Sequence, residues 1–345
     1  MSNPKLEFFR FKLNHKSGQK KTFREFMLEN GKATLRQKDN TIFGNLYKYF
    51  MEKPKNGFAK NDSLKKVVTL IGNRGRKKIN KHFSERPLPN IAKCIISGVI
   101  NGGAFGKNRI LSNLDKKESS ENILASQPVL QYYYIFLYLP LDHNEGFFMV
   151  HSDSSDESIT QAMRKYVCEL FNIGNYNKPN ISIYVPKYFR DEYKGGAILK
   201  SITFSTTELS ADMDDEDPLK DVAGEFDVKI SLSPKGDTKA DLGKLVSLRN
   251  LFARNRFGTE GYSRSLDEFD KCTVSTKNED VNSTKIFDWN NRDQELQPAV
   301  YLKDRVAMEE DDTPNFKALN NFCHQLFKDQ ILPELRPDKD VKRVD

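Results

Sequence analysis

The densest run of positive charge in the sequence is the segment 73–82, which holds five basic side chains and no acidic one. The five residues are Arg74, Arg76, Lys77, Lys78 and Lys81. Cations at this density neutralise phosphates and release condensed counterions, so the segment predicts contact with a polyanion, above all a nucleic acid. The alternative is a basic loop that only keeps the chain soluble.

The charge of the whole chain is polarised in the same direction. Residues 1–110 hold 25 Lys or Arg against 7 Asp or Glu, a net +18, whereas residues 111–345 hold 30 against 41, a net −11. Such polarity steers polyanions to one part of a protein. The predicted contact set therefore also includes Lys20, Lys21, Lys107 and Arg109. A further possibility is that the basic part docks an acidic protein, including its own C-terminal half.

A second constellation is compatible with a divalent-metal nuclease, which needs several carboxylates and a lysine on adjoining strands. Asp221 precedes a predicted strand that carries Asp227 and Lys229, the short D-x-K half of a restriction-type motif. Because alternate residues of a strand share a face, Asp227 and Lys229 are also compatible with an ordinary solvent-exposed face. A divalent-metal nuclease is therefore the alternative hypothesis for the function.

The cysteines and histidines predict no metal site and no cofactor. Cys94, Cys168, Cys272 and Cys323 show no CxxC spacing, and the five histidines form no H-x-x-H pair. The first residues lack the apolar run of a signal peptide, and the longest apolar stretch, 132–141, is about half of the roughly twenty residues that span a bilayer. We expect reduced thiols, a cytoplasmic location and no membrane insertion.

The order of predicted elements indicates an α+β fold with two domains. In the first part we predict strands over 6–13, 41–50 and 64–71, and a helix over 22–29. Residues 91–111 predict a hairpin that turns at Asn101-Gly102-Gly103. A second hairpin, 131–139 with 146–151, is followed by a helix over 159–171, whose apolar positions repeat at helical spacing.

The acidic run 210–221 breaks all periodicity and predicts a linker between a basic domain, 1–210, and an α+β domain, 222–345. Strands are predicted on the near side of the linker at 181–185 and 198–206. Beyond it we predict strands over 225–232 and 299–306, a hairpin within 271–289, and helices over 241–254 and 315–332.

The passage 133–171, with 198–206 and the closing 316–332, resembles in its pattern of elements the phage-exclusion proteins of the RexA type. The likeness is one of element order and contains no diagnostic residue string, so no binding residue is transferred. The resemblance implies a bacterial or prophage antiviral protein that binds duplex DNA, acts as a homodimer and works with a second effector protein. Together with the charge, it predicts a non-enzymatic DNA-binding protein with no catalytic residue. The alternatives are the metal nuclease and a protein-interaction module.

Overall fold

The structure, a computed structural model, divides into two compact units, Met1–Tyr184 with Val300–Asp345, and Val185–Ala299. The residues that it describes are 4–70, 85–112, 120–152, 158–191, 197–209, 225–236, 238–240, 242–253, 256–259, 262–265, 271–278, 283–288, 297–298, 300–303 and 305–337.

The described chain contains both helices and antiparallel sheets, which confirms the predicted α+β class. Its strands are β1 (Lys5–His15), β2 (Ala59–Asn61), β3 (Lys66–Thr69), β4 (Leu88–Asn90), β5 (Ile95–Ala104), β6 (Arg109–Ser112), β7 (Ser120–Ile123), β8 (Val129–Tyr138), β9 (Glu145–Ser152), β10 (Tyr176–Ile183), β11 (Ala197–Leu209), β12 (Glu225–Leu232), β13 (Thr238–Ala240), β14 (Arg256–Thr259), β15 (Tyr262–Ser265), β16 (Lys271–Asn278), β17 (Ser283–Asp288), β18 (Gln297–Pro298) and β19 (Val300–Tyr301). Its α-helices are α1 (Phe23–Glu29), α2 (Asp39–Asn56), α3 (Thr160–Leu170), α4 (Lys187–Asp191), α5 (Leu242–Ala253), α6 (Phe316–Leu326) and α7 (Leu332–Leu335).

The first unit is built on a nine-stranded antiparallel sheet in the order β10-β1-β9-β8-β5-β3-β2, to which β19 adds on β1 and β4 on β5. Helices α1, α2 and α3 cover one face, where rings such as Phe26, Phe43 and Tyr166 join the sheet residues in one buried core. Helix α6 and the π-helical turn Phe327–Ile331 cover the other face, with the ring of Phe327 about 5 Å from Phe136.

The predicted hairpin 131–151 is the centre of this sheet, and its sequence explains why. Strand β8 is apolar at nearly every position, β9 contains the apolar run Phe147–Val150, and both are buried over most of their length, as expected for strands that are covered on both faces. Helix α1 begins where predicted because Thr22 and Glu25 form a capping box. The predicted helix 159–171 is confirmed as α3.

The second unit contains a six-stranded sheet in the order β12-β11-β16-β17-β18, with β13 pairing β11. Strands β14 and β15 form a separate hairpin. The helices described in the second unit are α4 and α5. The predicted linker 210–221 lies outside the described residues, but its flanks belong to one sheet, because β11 pairs β12 from Ile202↔Leu232 to Leu209↔Glu225. The run therefore connects two paired strands of the second unit, and residues 300–345 return to the first, so the compact units differ from the predicted domains.

The predicted strand 41–50 is wrong, because these residues lie in α2. Aromatic and β-branched content favoured a strand, but the buried positions, Ile42, Phe43, Leu46 and Phe50, recur at helical spacing. Burial of that face decided the conformation over local β propensity. The predicted strand 299–306 is likewise reduced to the two residues of β19.

The predicted turn at Asn101-Gly102-Gly103 is also wrong, because β5 runs straight through it. These glycines serve close packing instead: a Cβ on Gly103 would lie 1.7 Å from the carbonyl oxygen of Val129, and one on Gly102 would lie 2.5 Å from a methyl of Ile159. The chain turns beyond Ala104, where β6 and β7 continue the β5–β8 pair as a two-stranded ribbon.

Candidate nucleic-acid interface

The basic segment 73–82, with its five predicted contact residues, lies outside the described residues, but both of its flanks are placed. Thr69, at the end of β3, pairs with Asn101, and Leu88, at the start of β4, pairs with Ser97. Both partners lie on β5, four residues apart, which corresponds to about 13 Å along a strand. The chain thus leaves and rejoins the same side of the same strand.

Helix α2 holds both flanks. The amide of Leu70 donates to the carbonyl oxygen of Pro54 at 2.8 Å, and the hydroxyl of Tyr47 donates to the carbonyl oxygen of Pro87 at 3.1 Å. On the second flank, Glu85 and Arg86 pack directly on Gly98, where a Cβ would lie 2.3 Å from the Glu85 carbonyl oxygen. Helix α2, and β3 with its partner β2, are therefore described elements at the flanks of the segment.

These neighbours are strongly cationic. We call Lys55, Lys60, Lys65, Lys66 and Arg86 the basic edge. Within the described part of the chain, the first three form no ion pair; Lys60 and Lys65 are exposed, and the ammonium of the exposed Lys55 lies 4.9 Å from the ring centre of Tyr47. Over residues 48–109 the sequence carries 15 basic and 3 acidic residues. Cations in the last turn of α2 also complement the helix dipole, so Lys55 has a structural role as well.

Two other predicted contacts, Lys107 and Arg109, lie at the ribbon of β6 and β7, which we call the arm. Both side chains are exposed. The arm is joined to the basic edge through Lys65, whose carbonyl oxygen accepts from the amide of Phe105 at 2.9 Å. The aliphatic part of Lys65 packs beside Gly106, which has a φ of +92° and so occupies a conformation that suits glycine.

Lys20 and Lys21, which also belong to the predicted set, lie away from the basic edge and the arm. They follow β1, whose residue Lys12 pairs with Glu145 at the start of β9, whereas the arm extends from the opposite end of the central strands. The ten residues of β5 separate these ends by about 30 Å. Lys20 is exposed there, but Lys21 is ion-paired with Glu25 and Glu29 at 3.3 Å each.

The surface around Lys21 carries cations that are already neutralised, and we call it the paired edge. Hydrogen bonds to Glu29 and Glu25 raise the pKa of Lys21, and the backbone amide of Thr22 lowers the pKa of Glu25. The further ion pairs are Lys5–Glu7, Arg10–Glu145, Lys12–Glu145 and His15–Glu29. This surface offers a polyanion few unpaired charges.

The residues of the alternative nuclease site are only partly described. Asp221 lies outside the described residues, while Asp227 and Lys229 lie two positions apart on β12, opposite Thr207 and Ser205. Among the described residues, no group of three or more His, Cys, Asp or Glu side chains is placed to hold a metal ion.

Two shallow clefts lie along α2, with volumes of about 500 and 530 Å³, and both are lined by Tyr49 and Glu52. Burial raises the pKa of Tyr49 to about 12, so this phenol stays protonated at neutral pH. The first cleft also contains the ion pair Lys53–Glu169, at 3.1 Å. Its mixed charge makes it a poor site for a polyanion.

One polar cluster was missed by the sequence analysis because its members on the sheet lie more than 180 residues before its members on α6. The hydroxyl of Ser97, on β5, lies 2.9 Å from Nε2 of His324 and 3.2 Å from Oδ1 of Asn320, and the Tyr134 hydroxyl donates to the same oxygen. Burial, together with the charge of Lys93, lowers the pKa of His324. The cluster fastens α6 to the sheet.

Comparisons with known proteins leave the chain without a match: no family model, no curated protein and no solved structure corresponds to it. Within the described residues, no helix combines the length and the apolar character needed to cross a bilayer.

Proposed function

We propose that the protein is a non-enzymatic DNA-binding protein that holds duplex phosphates with the segment 73–82 and the basic edge beside it. One observation carries the proposal: both flanks of the most cationic segment attach to one strand, β5, next to lysines that have no carboxylate partner in the described chain. Concentrated, unpaired cations bind phosphates independently of sequence.

The biological setting that we propose, antiviral defence in a bacterium or prophage, rests on the RexA-type pattern of elements. The same pattern supports a homodimer that works with a second effector protein in the cytoplasm. These partners belong to the proposal as expectations of the resemblance.

The test is a titration of a fluorescent duplex of about 24 base pairs over about 50 to 200 mM salt, in which each lost phosphate contact lowers the log-log slope by about 0.9. Alanine at all five cations of 73–82 should weaken binding at least roughly tenfold for every duplex sequence alike. A second variant removes described cations of the basic edge: K55A/K60A/K65A/R86A.

The matched control removes four exposed lysines that lie on or beside β1 and β10: K12A/K16A/K20A/K178A. It has the same loss of charge and should keep most of the affinity. Equal losses in the two four-residue variants would mean that net charge alone drives binding, and an unaltered titration after alanine substitution at 73–82 would refute the proposed site.

A further inference from the structure

The arm lacks the protection that the chain gives to the edges of the nine-stranded sheet. Strand β2 at one edge is only three residues long, and β10 at the other carries Lys178 and Pro179, both devices that prevent strand addition. The arm has no proline or lysine in its two strands, and no further described strand pairs with either.

The arm also exposes large apolar side chains to solvent. Ile110, Leu111 and the adjoining Leu124 are 71%, 57% and 56% exposed. A two-stranded ribbon is marginally stable by itself, and large exposed apolar side chains that cluster usually mark a contact surface. The arm therefore has the properties of an element that becomes covered when the protein binds its partner.

The two faces of the arm differ in chemistry. Residues directly opposite each other on paired strands share a face, so Ile110 lies with Asn122, and Ser112 with Ser120. This face carries no charge. The other face holds Arg109 and Leu111 with their partners Ile123 and Glu121.

We propose that the arm enters the major groove of B-form DNA with its uncharged face toward the base edges, an inference that rests on the proposed function. The groove is about 12 Å wide and admits a two-stranded ribbon. Lys65 and Lys107 at the base of the arm, with Arg109 on its first strand, bring unpaired positive charge to the phosphates that flank such a groove. The charge of these three residues is what selects DNA over an apolar protein as the occupant.

The uncharged face has the side chains that read an A·T pair. An apolar side chain contacts the C5 methyl group of thymine, and an asparagine makes paired hydrogen bonds to adenine N6 and N7. Ile110 and Asn122 are opposite each other and both exposed. The major groove of A-form RNA is too deep and narrow for side chains to read, so the arm gives a preference for duplex DNA over duplex RNA.

The experiment compares a mixed-sequence DNA duplex with the same duplex in which deoxyuracil replaces every thymine, a change that removes only the methyl groups. Wild-type protein should lose about fourfold in affinity for each contacted methyl group. I110S should bind both duplexes equally. The control L35S replaces a different exposed aliphatic side chain, 81% exposed and placed between α1 and α2, and should discriminate as the wild type does.

The outcomes separate the two proposals. Wild-type binding to DNA without discrimination against deoxyuracil, or discrimination that I110S retains, overturns the arm inference and leaves the proposed function standing. A change confined to self-association of I110S in sedimentation also overturns it, because the arm then contacts a second copy. Wild-type protein that binds no duplex overturns both.

Discussion

The basic edge and the paired edge lie at opposite sides of one sheet, and both are rich in lysine and arginine. At the paired edge each of five cations faces a carboxylate within 3.4 Å: Lys5, Arg10, Lys12, His15 when protonated, and Lys21. At the basic edge Lys55, Lys60 and Lys65 have no such partner in the described chain. The availability of cations, rather than their number, therefore distinguishes a candidate phosphate-binding surface from a solvated one.

The largest expected effect is a loss of stability on the basic side of the sheet, where β5 and β8 pack closely at Gly103. In G103A the new Cβ would lie 1.7 Å from the backbone carbonyl oxygen of Val129, so the β5–β8 pair must separate beside the base of the arm. We expect a loss of at least about 3 kcal/mol of unfolding free energy in urea titrations.

The counterpart near the paired edge is G146A, whose Cβ would meet the ring of Phe11 at 2.6 Å. A side chain can give way more readily than a backbone strand, so we expect a smaller loss of about 1 to 2 kcal/mol. Equal losses would contradict the difference in packing.

Removing carboxylates from the paired edge should make this surface bind DNA as the basic edge is proposed to do. In E29Q/E145Q the carboxylate that pairs with Arg10 and Lys12, and one of the two that pair with Lys21, become neutral amides of the same size. Affinity for DNA at low salt should rise roughly threefold to tenfold, and the salt dependence should steepen by up to about 0.9 per released cation that reaches a phosphate.

The control for that gain is E310Q, which removes an exposed negative charge that precedes α6. It should raise affinity less, per charge, than the double variant does. If E29Q/E145Q leaves the titration unchanged, ion pairing is not what separates the two edges.

At the paired edge, the cap of α1 should contribute to stability and not to DNA binding. Thr22 caps α1: its hydroxyl oxygen accepts from the amide of Glu25 at 3.2 Å, and the Glu25 carboxylate accepts from the Thr22 amide at 2.8 Å. T22A should lower the unfolding free energy by about 1 kcal/mol. Its DNA affinity should equal that of the wild type, and a weaker titration would show that this edge contributes to binding.

The smallest effect concerns pH. Burial and the charge of Lys93 lower the pKa of His324 in the folded protein, so folding favours the neutral imidazole. The stability that His324 contributes is therefore present above about pH 6.5 and is lost as the pH falls through the lowered pKa. Unfolding midpoints should fall by a few degrees in acid. K93Q should reduce this loss and H324Q should remove it, whereas an acid loss that H324Q retains must arise from other groups.

Local sequence patterns predicted several elements correctly. The hairpin 131–151, α3 and the strand 225–232 were all found from their residues alone. The same reasoning placed a strand in α2 and a turn in β5, because Ile42 and Phe50 suit either conformation, and because Gly102 and Gly103 serve a neighbouring strand and helix that lie far along the chain.

The sequence by itself determined the excess of positive charge in residues 1–110, the absence of metal-ligand spacing among the cysteines and histidines, and the α+β class. Only the tertiary structure decided that Lys21 is neutralised while Lys65 is not, and that Lys107 lies at the base of the arm and Arg109 on its first strand. The physical reason is range: charge and periodicity are properties of neighbouring residues, whereas an ion pair such as Arg10–Glu145 depends on which strands the sheet brings together.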